Sequence, residues 1–262
     1  MPHLFHRFVS YWQYRTKAGN AHHIHSPFVF ELYTKLIDLQ KDYYVFDEIE
    51  DLRAELILSD EKIEVTDFGA GHNRTRTRGV SFITKTSAKS AATGQLLFKL
   101  VNKFQPNTML ELGTSLGIST LYQATARRNA TFYTLEGCPN TAQWAAKHLK
   151  RFGLNNVQQI VGNIDETLPS VLAKVECLDY VLFDANHRHE PTMRYFELCF
   201  DKAHEDSLFV FDDIHWSADM QRAWQQICAD PRVTVSIDLY DVGLVFFRKK
   251  QPKQHFVLQF GS

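Results

Sequence analysis

Met109-Leu110-Glu111-Leu112-Gly113-Thr114-Ser115-Leu116-Gly117-Ile118-Ser119 decides how this chain reads: an apolar strand runs into a glycine turn, and a helical pattern follows. Glycine permits a tight turn and a close approach of ligand to backbone, and the first N–H groups of the next helix have no partner within it. Three residues separate Gly113 from Gly117 and Glu111 precedes both, which departs from the G-x-G-x-x-G spacing of nicotinamide-binding domains. The pattern favours a ligand without a pyrophosphate, whose amino-acid end needs a carboxylate partner and backbone donors.

Outward from this turn, short apolar runs alternate with longer helix-period segments, as in repeated βα units with a mostly parallel sheet. The runs predict strands over 108–112, 131–135, 157–161, 178–183 and 208–211, with helices over 94–104, 119–128, 141–152, 166–174, 191–203 and 219–229. Two final apolar runs, 233–239 and 242–247, are separated only by Tyr240-Asp241, which predicts an antiparallel hairpin. The fold class expected is α/β: a doubly wound, mostly parallel seven-stranded sheet with a C-terminal antiparallel hairpin and an N-terminal helical extension. Its expected parts are a helical lid or dimerisation element at 1–64, a loop-rich connector at 65–89, the ligand-binding domain at 90–250 and a tail at 251–262.

Two further strand tips carry polar groups. Glu136 closes the second strand, where folds of this type hold ribose hydroxyls, and Gly162-Asn163-Ile164-Asp165 follows the third, where a base could pack. Asp184-Ala185-Asn186-His187 and Asp212-Asp213 end the fourth and fifth strands. Three converging carboxylates repel one another unless a cation sits among them, and oxygen donors suit a hard ion such as Mg²⁺ or Mn²⁺. Asp184, Asp212 and Asp213 are therefore the expected metal ligands.

The N-terminal part is rich in aromatics and histidine. A helix is expected over 5–14, and a second over 28–39, with Ser26 as its cap and Pro27 at its first position. His22, His23 and His25 have no two members one helical turn apart, so they read as loop residues rather than metal ligands. Asp67-Phe68-Gly69-Ala70-Gly71 imitates a glycine turn but has no helical pattern directly behind it, so it reads as a turn or substrate-side loop.

Composition narrows the partners. The 262 residues carry 29 basic and 30 acidic side chains, a formal charge of −1, without the basic excess of a nucleic-acid-binding domain. The four cysteines form no C-x-x-C pair, which argues against a disulfide framework or a cysteine zinc site. No run approaches the roughly 18 apolar residues of a membrane span, and no signal peptide pattern opens the chain, so a cytoplasmic location is the expectation.

The region from about Ser90 to Lys249 resembles the class I S-adenosylmethionine-dependent methyltransferases, and within them the catechol and caffeoyl-CoA O-methyltransferase family. Leu110-Glu111-Leu112-Gly113 through Gly117-Ile118-Ser119 matches that family's first motif, preceded by a similar Gly94-Gln95 helix. The resemblance implies that Glu111, Gly113, Gly117 and Ser119 surround the methionine end of S-adenosylmethionine. It further implies that Glu136 binds the ribose, that Asn163 and Ile164 flank the adenine, and that Asp184 faces the reacting end. In that family the three metal positions are Asp, Asp and Asn, whereas the third here is Asp213; a lysine base is replaced by His187, which can serve as a general base near neutrality.

The function expected is metal-assisted methylation of a hydroxyl on a small-molecule acceptor, with His187 and Asp184 as catalytic residues and no membrane partner. Two alternatives stand beside it. One is methylation of hydroxylated uridine in tRNA, with Arg74, Arg76, Arg78, Arg127 and Arg128 on phosphates. The other is a non-catalytic S-adenosylmethionine-binding protein.

Overall fold

Alternation of small polar and long charged residues, Arg74-Thr75-Arg76-Thr77-Arg78, is strand chemistry as much as loop chemistry, and the computed structural model shows it as a strand. The structure describes residues 2–37, 41–67 and 74–260. The chain opens with α1 (Pro2–Lys17), a 3₁₀ turn (Ala21–His23) and α2 (Pro27–Leu32). Ser26 caps α2 by accepting from the Val29 N–H, with Pro27 at the first position as expected. The helix is shorter than the apolar run: at Tyr33 its hydrogen bonding widens into a π turn (Tyr33–Ile37), and the last residues of the expected helix lie outside those described.

α3 (Tyr44–Ile57) precedes β1 (Lys62–Asp67), β2 (Arg74–Gly79) and α4 (Val80–Ser87). β1 and β2 pair antiparallel from Lys62↔Gly79 to Asp67↔Arg74. The stretch expected to be a loop-rich connector is thus mostly a hairpin and a helix. Each strand finds its backbone partners in the other, a long-range pairing that a one-dimensional pattern does not display. Residues 68–72, which hold most of the imitation glycine turn, lie outside those described.

The alternating region follows as α5 (Ala91–Phe104), β3 (Thr108–Leu112), α6 (Ile118–Ala126), β4 (Thr131–Glu136), α7 (Pro139–Arg151), β5 (Val157–Val161) and α8 (Ile164–Leu172). Then come β6 (Leu178–Phe183), α9 (His189–Phe200), β7 (Ala203–Asp212), α10 (Ala218–Ala229), β8 (Val235–Asp238), β9 (Val242–Phe246) and β10 (Gln254–Val257). The fold is α/β with a mostly parallel central sheet, a C-terminal antiparallel strand pair and an N-terminal helical region.

Two units divide the chain: residues 41–175, and residues 1–40 together with 176–262. In the first, β3, β4 and β5 are parallel neighbours. α5 and α6 approach closely there, because a Cβ on Gly94 would sit 2.3 Å from the Tyr122 ring. Phe46, Phe98 and Tyr122 fill the adjoining core, with Phe46 5.0 Å from Phe98 and 5.6 Å from Tyr122 between ring centres. In the second unit β6 runs parallel to β7, β7 antiparallel to β9, and β9 antiparallel to β8. Phe183 and Phe211 stack at 4.3 Å in its core.

The two-residue link of the β8–β9 hairpin is Tyr240-Asp241 as expected: the Leu239 N–H donates to Val242 O, and Tyr240 takes a left-handed φ of 74°. The segment expected to be a tail instead contains β10, parallel to β8, one strand beyond the seven expected. Four residues of mixed polarity at a sheet edge bury one face at most and leave little pattern to read. Beyond the strand, Leu258 forms a bridge with Gly19, and its carbonyl accepts from the Tyr14 hydroxyl.

Candidate active site

The glycine turn between β3 and α6 is built from left-handed residues, Gly113 (φ 102°), Ser115 (φ 49°) and Gly117 (φ 86°). A side chain at Gly117 would also press on Ala145, whose Cβ lies 3.1 Å from the position a Cβ would take. The turn is tied to the tip of β4: the N–H groups of Gly113 and Thr114 both donate to Leu135 O. From the other side the buried His148 of α7 places Nδ1 2.8 Å from Leu116 O. Burial lowers its pKa, which favours the neutral ring.

Glu136 completes this frame. Its Oε2 accepts the Ser115 N–H at 2.7 Å and its Oε1 the Cys138 N–H at 2.8 Å. Desolvation raises its pKa, and the backbone donors of Cys138 and Ser115 oppose that rise. Thr141 and Gly137 reach it as well, so a ligand hydroxyl would share its oxygens with groups already in place.

Glu111 behaves differently from the expectation. It is fully buried, and its oxygens accept from Ser119 Oγ (2.7 Å), Thr120 Oγ1 (2.5 Å), Thr134 Oγ1 (2.6 Å) and Gln123 Nε2 (2.8 Å). The Thr114 hydroxyl joins the network 2.6 Å from that of Thr134. Glu111 and Ser119 therefore bolt β3, β4 and α6 together beneath the turn. Burial raises the Glu111 pKa against the effect of these donors. Sequence reading missed Thr120, Gln123 and Thr134; the available signal was a polar cluster at the start of a helix between two apolar strands.

After β5, Gly162 (φ 149°) leads to Asn163, which caps α8 by accepting from the Asp165 N–H. Ile164 is buried to 8% exposure. Asn163 thus has a local structural duty, and its amide N–H₂ group is the part suited to a ligand.

The second unit carries the acidic cluster. Asp184 and Asp212 follow or end β6 and β7, and with His187 they bring one donor atom each within 4.8 Å of one another. His187 Nε2 lies 3.5 Å from Asp184 Oδ1 and 3.8 Å from Asp213 Oδ2. The grouping differs from the expected three aspartates: His187 takes the place of Asp213, which turns through a left-handed φ of 55°. Asn186 and His187 are left-handed as well, at 64° and 34°. Such backbone costs energy in residues other than glycine and concentrates at functional sites. The neighbouring histidines have other partners: His189 Nε2 meets Gln226 Oε1 and His215 Nε2 meets Asp238 Oδ2, both at 2.8 Å.

Another group with metal-ligand spacing is Cys177, Asp179 and His204. There His204 Nε2 donates to Asp179 Oδ1 and Nδ1 accepts the Asp206 N–H, so both ring nitrogens already have protein partners. The arginines considered for phosphate binding also have local contacts. Arg78 lies over the Phe82 ring, while Arg127 and Arg128 donate to the carbonyls of Pro106 and Phe152.

Residues 110–214 match a family described as a methyltransferase domain. A catechol O-methyltransferase from Niastella koreensis is 32% identical over 124 residues, 46% of this chain and 55% of that protein. One from Mycobacterium tuberculosis is 31% identical over 129 residues, 48% of this chain and 57% of that protein. The chain thus spans a little over half the length of the curated relatives it matches. An O-methyltransferase from Bacillus cereus, solved in complex with SAH, has the same fold, with a TM-score of 0.57 and 19% identity over 79% of this chain and 93% of that one.

Proposed function

We propose that this chain, which carries a class I methyltransferase domain and resembles the catechol O-methyltransferases, transfers a methyl group from S-adenosylmethionine to a hydroxyl oxygen of a small acceptor. The carrying observation is the glycine turn latched to the strand-tip carboxylate of Glu136 through the Ser115 N–H. In this reading Glu136 accepts the ribose hydroxyls, Gly113 and Gly117 let the backbone approach the amino-acid end, and Glu111 holds the turn from below. Asn163 and Ile164 border the adenine.

Asp184, His187 and Asp212 offer two carboxylates and an imidazole within coordination range of one ion, a donor set that fits Mg²⁺ or Mn²⁺. Bound there, a divalent cation would supply Lewis-acid polarisation of the acceptor hydroxyl. His187 cannot at once ligate a cation through Nε2 and accept a proton there. His187→Gln separates the two duties: loss of cation affinity marks a ligand, and loss of rate with cation affinity intact marks the base.

The test is to supply purified protein with methyl-labelled S-adenosylmethionine and hydroxylated aromatic acceptors, with Mg²⁺ or with EDTA, and to detect the methyl ether by mass spectrometry. Label transfer that EDTA abolishes supports the whole reading, and transfer indifferent to EDTA removes the cation. No S-adenosylmethionine binding by calorimetry would overturn it.

A further inference from the structure

The turn that follows β7 starts on Asp213 and is strained there. Asp213 takes a left-handed φ of 55°, and the Trp216 N–H donates to Asp213 O to close the turn over 213–216. A non-glycine residue in that region persists only where its surroundings hold it. Asp212, one of the three residues assigned to a cation, immediately precedes the turn, and Asp213 Oδ2 lies 3.8 Å from His187 Nε2, another of them. What fixes the turn therefore sets the shape of the cluster.

The turn is held from outside through two of its side chains. His215 Nε2 donates to Asp238 Oδ2 at 2.8 Å, and its ring stacks on Tyr240 with centres 5.3 Å apart and planes 13° apart. His215 Nδ1 has no hydrogen-bond partner among the described residues, so Asp238 is the ring's polar anchor. Asp238 ends β8 and is buried, and its Oδ1 accepts the Tyr240 N–H at 2.8 Å. One buried carboxylate thus ties the turn after β7 to the link of the β8–β9 hairpin. α1 closes over both. The Tyr240 hydroxyl donates to Arg7 O at 2.9 Å, and the Tyr240 ring packs against Tyr11 and Tyr14. The Arg7 guanidinium lies 4.9 Å from the centre of the Trp216 ring, and the Tyr14 hydroxyl, further along the helix, donates to Leu258 O.

We propose that His215 is a positioning residue for the cation cluster: through Asp238 and Tyr240 it holds the 213–216 turn, and α1 completes the support by clasping Tyr240 and Trp216. This rests on the reading of Asp184, His187 and Asp212 as a Mg²⁺ or Mn²⁺ site. His215 is outside that donor group, so its effect on the cation passes through the backbone it holds.

The experiment is titration of the full chain with Mn²⁺, the free ion being read by electron paramagnetic resonance, for wild type and three variants. His215→Phe keeps a ring against Tyr240 and loses the bond to Asp238. Its Mn²⁺ affinity should fall by about tenfold or more, the scale of losing a residue that orients metal ligands. His215→Gln keeps an N–H donor at similar reach and should recover most of that loss. Tyr240→Phe removes only the hydroxyl bond to Arg7 O, and its affinity should fall by a smaller factor. Thermal melting in EDTA reports folding without the cation, and if His215→Phe does not fold, Tyr240→Phe decides alone. Wild-type affinity in both phenylalanine variants, whether or not their melting shifts, overturns the proposal and leaves the cation site standing. His215→Gln as weak as His215→Phe also overturns it, because the bond to Asp238 is then not the support. A wild type that binds no Mn²⁺ overturns the cation reading, and this proposal with it.

Discussion

Glu111 and Asp212 both sit on central strands and both are buried, yet their surroundings are opposite. Four donors from Ser119, Thr120, Gln123 and Thr134 converge on Glu111. Asp212 instead shares its neighbourhood with Asp184 and with a histidine that Asp213 also approaches. Donors tie the first carboxylate into the fold, although burial still raises its pKa, whereas the second stands among like-charged side chains. The comparison separates an acid tied down by donors from one set among other titratable side chains, although both look alike as acidic residues in strand-end motifs.

The largest expected effect is on Glu111. Glu111→Ala strands several buried donors and should cost about 3–5 kcal/mol of stability in urea denaturation. Asp212→Asn removes one of several like charges, so stability should change by less than about 1 kcal/mol while calorimetry shows weakened Mn²⁺ binding. Equal loss of stability in the two variants would break the comparison.

Glu136 lies between these extremes, holding the turn through Ser115 at the strand tip beside the two glycines. Glu136→Gln should weaken S-adenosylmethionine binding by roughly ten- to a hundredfold, the equivalent of one charge-assisted hydrogen bond of about 1.5–3 kcal/mol. Calorimetry measures this directly, and unchanged affinity would make Glu136 a purely structural acid like Glu111.

The smallest effect is a pH slope. Burial holds the Glu111 carboxyl above its ordinary value of 4.5. The native state therefore binds that proton more tightly than the unfolded chain. The resulting stabilisation is complete below the ordinary carboxylate range and is lost as pH rises through the raised native value. Glu111→Gln cannot titrate, so its stability should fall less steeply than wild type over that window, by up to about 1.4 kcal/mol per pH unit. Denaturation midpoints from pH 4 upward provide the check, and parallel slopes would place the uptake elsewhere, Glu136 being the other raised carboxyl.

Much of this was legible in the chain itself. The runs at 108–112, 131–135 and 178–183 became β3, β4 and β6 almost residue for residue, because strands covered on both faces are continuous apolar segments bounded by turns. Ser26-Pro27 and Tyr240-Asp241 were equally readable, since capping and two-residue hairpin links are local chemistry. Glycines at 113 and 117 announced a turn, and the structure shows both at positive φ.

The sequence by itself therefore determined the order of strands and helices from about residue 91 to 247 and the location of the glycine turn, both consequences of local periodicity and backbone freedom. Only the tertiary structure decided that Arg74–Gly79 pairs with Lys62–Asp67, and that Gln254–Val257 is a strand rather than tail. It also decided that Glu111 meets four internal donors, that His187 joins Asp184 and Asp212, and that α1 leaves Phe5, Phe8 and Trp12 exposed while burying Tyr14. Each of these depends on which distant groups meet in space. A carboxylate is structural or available according to the donors that reach it, and residue type and spacing do not encode those donors.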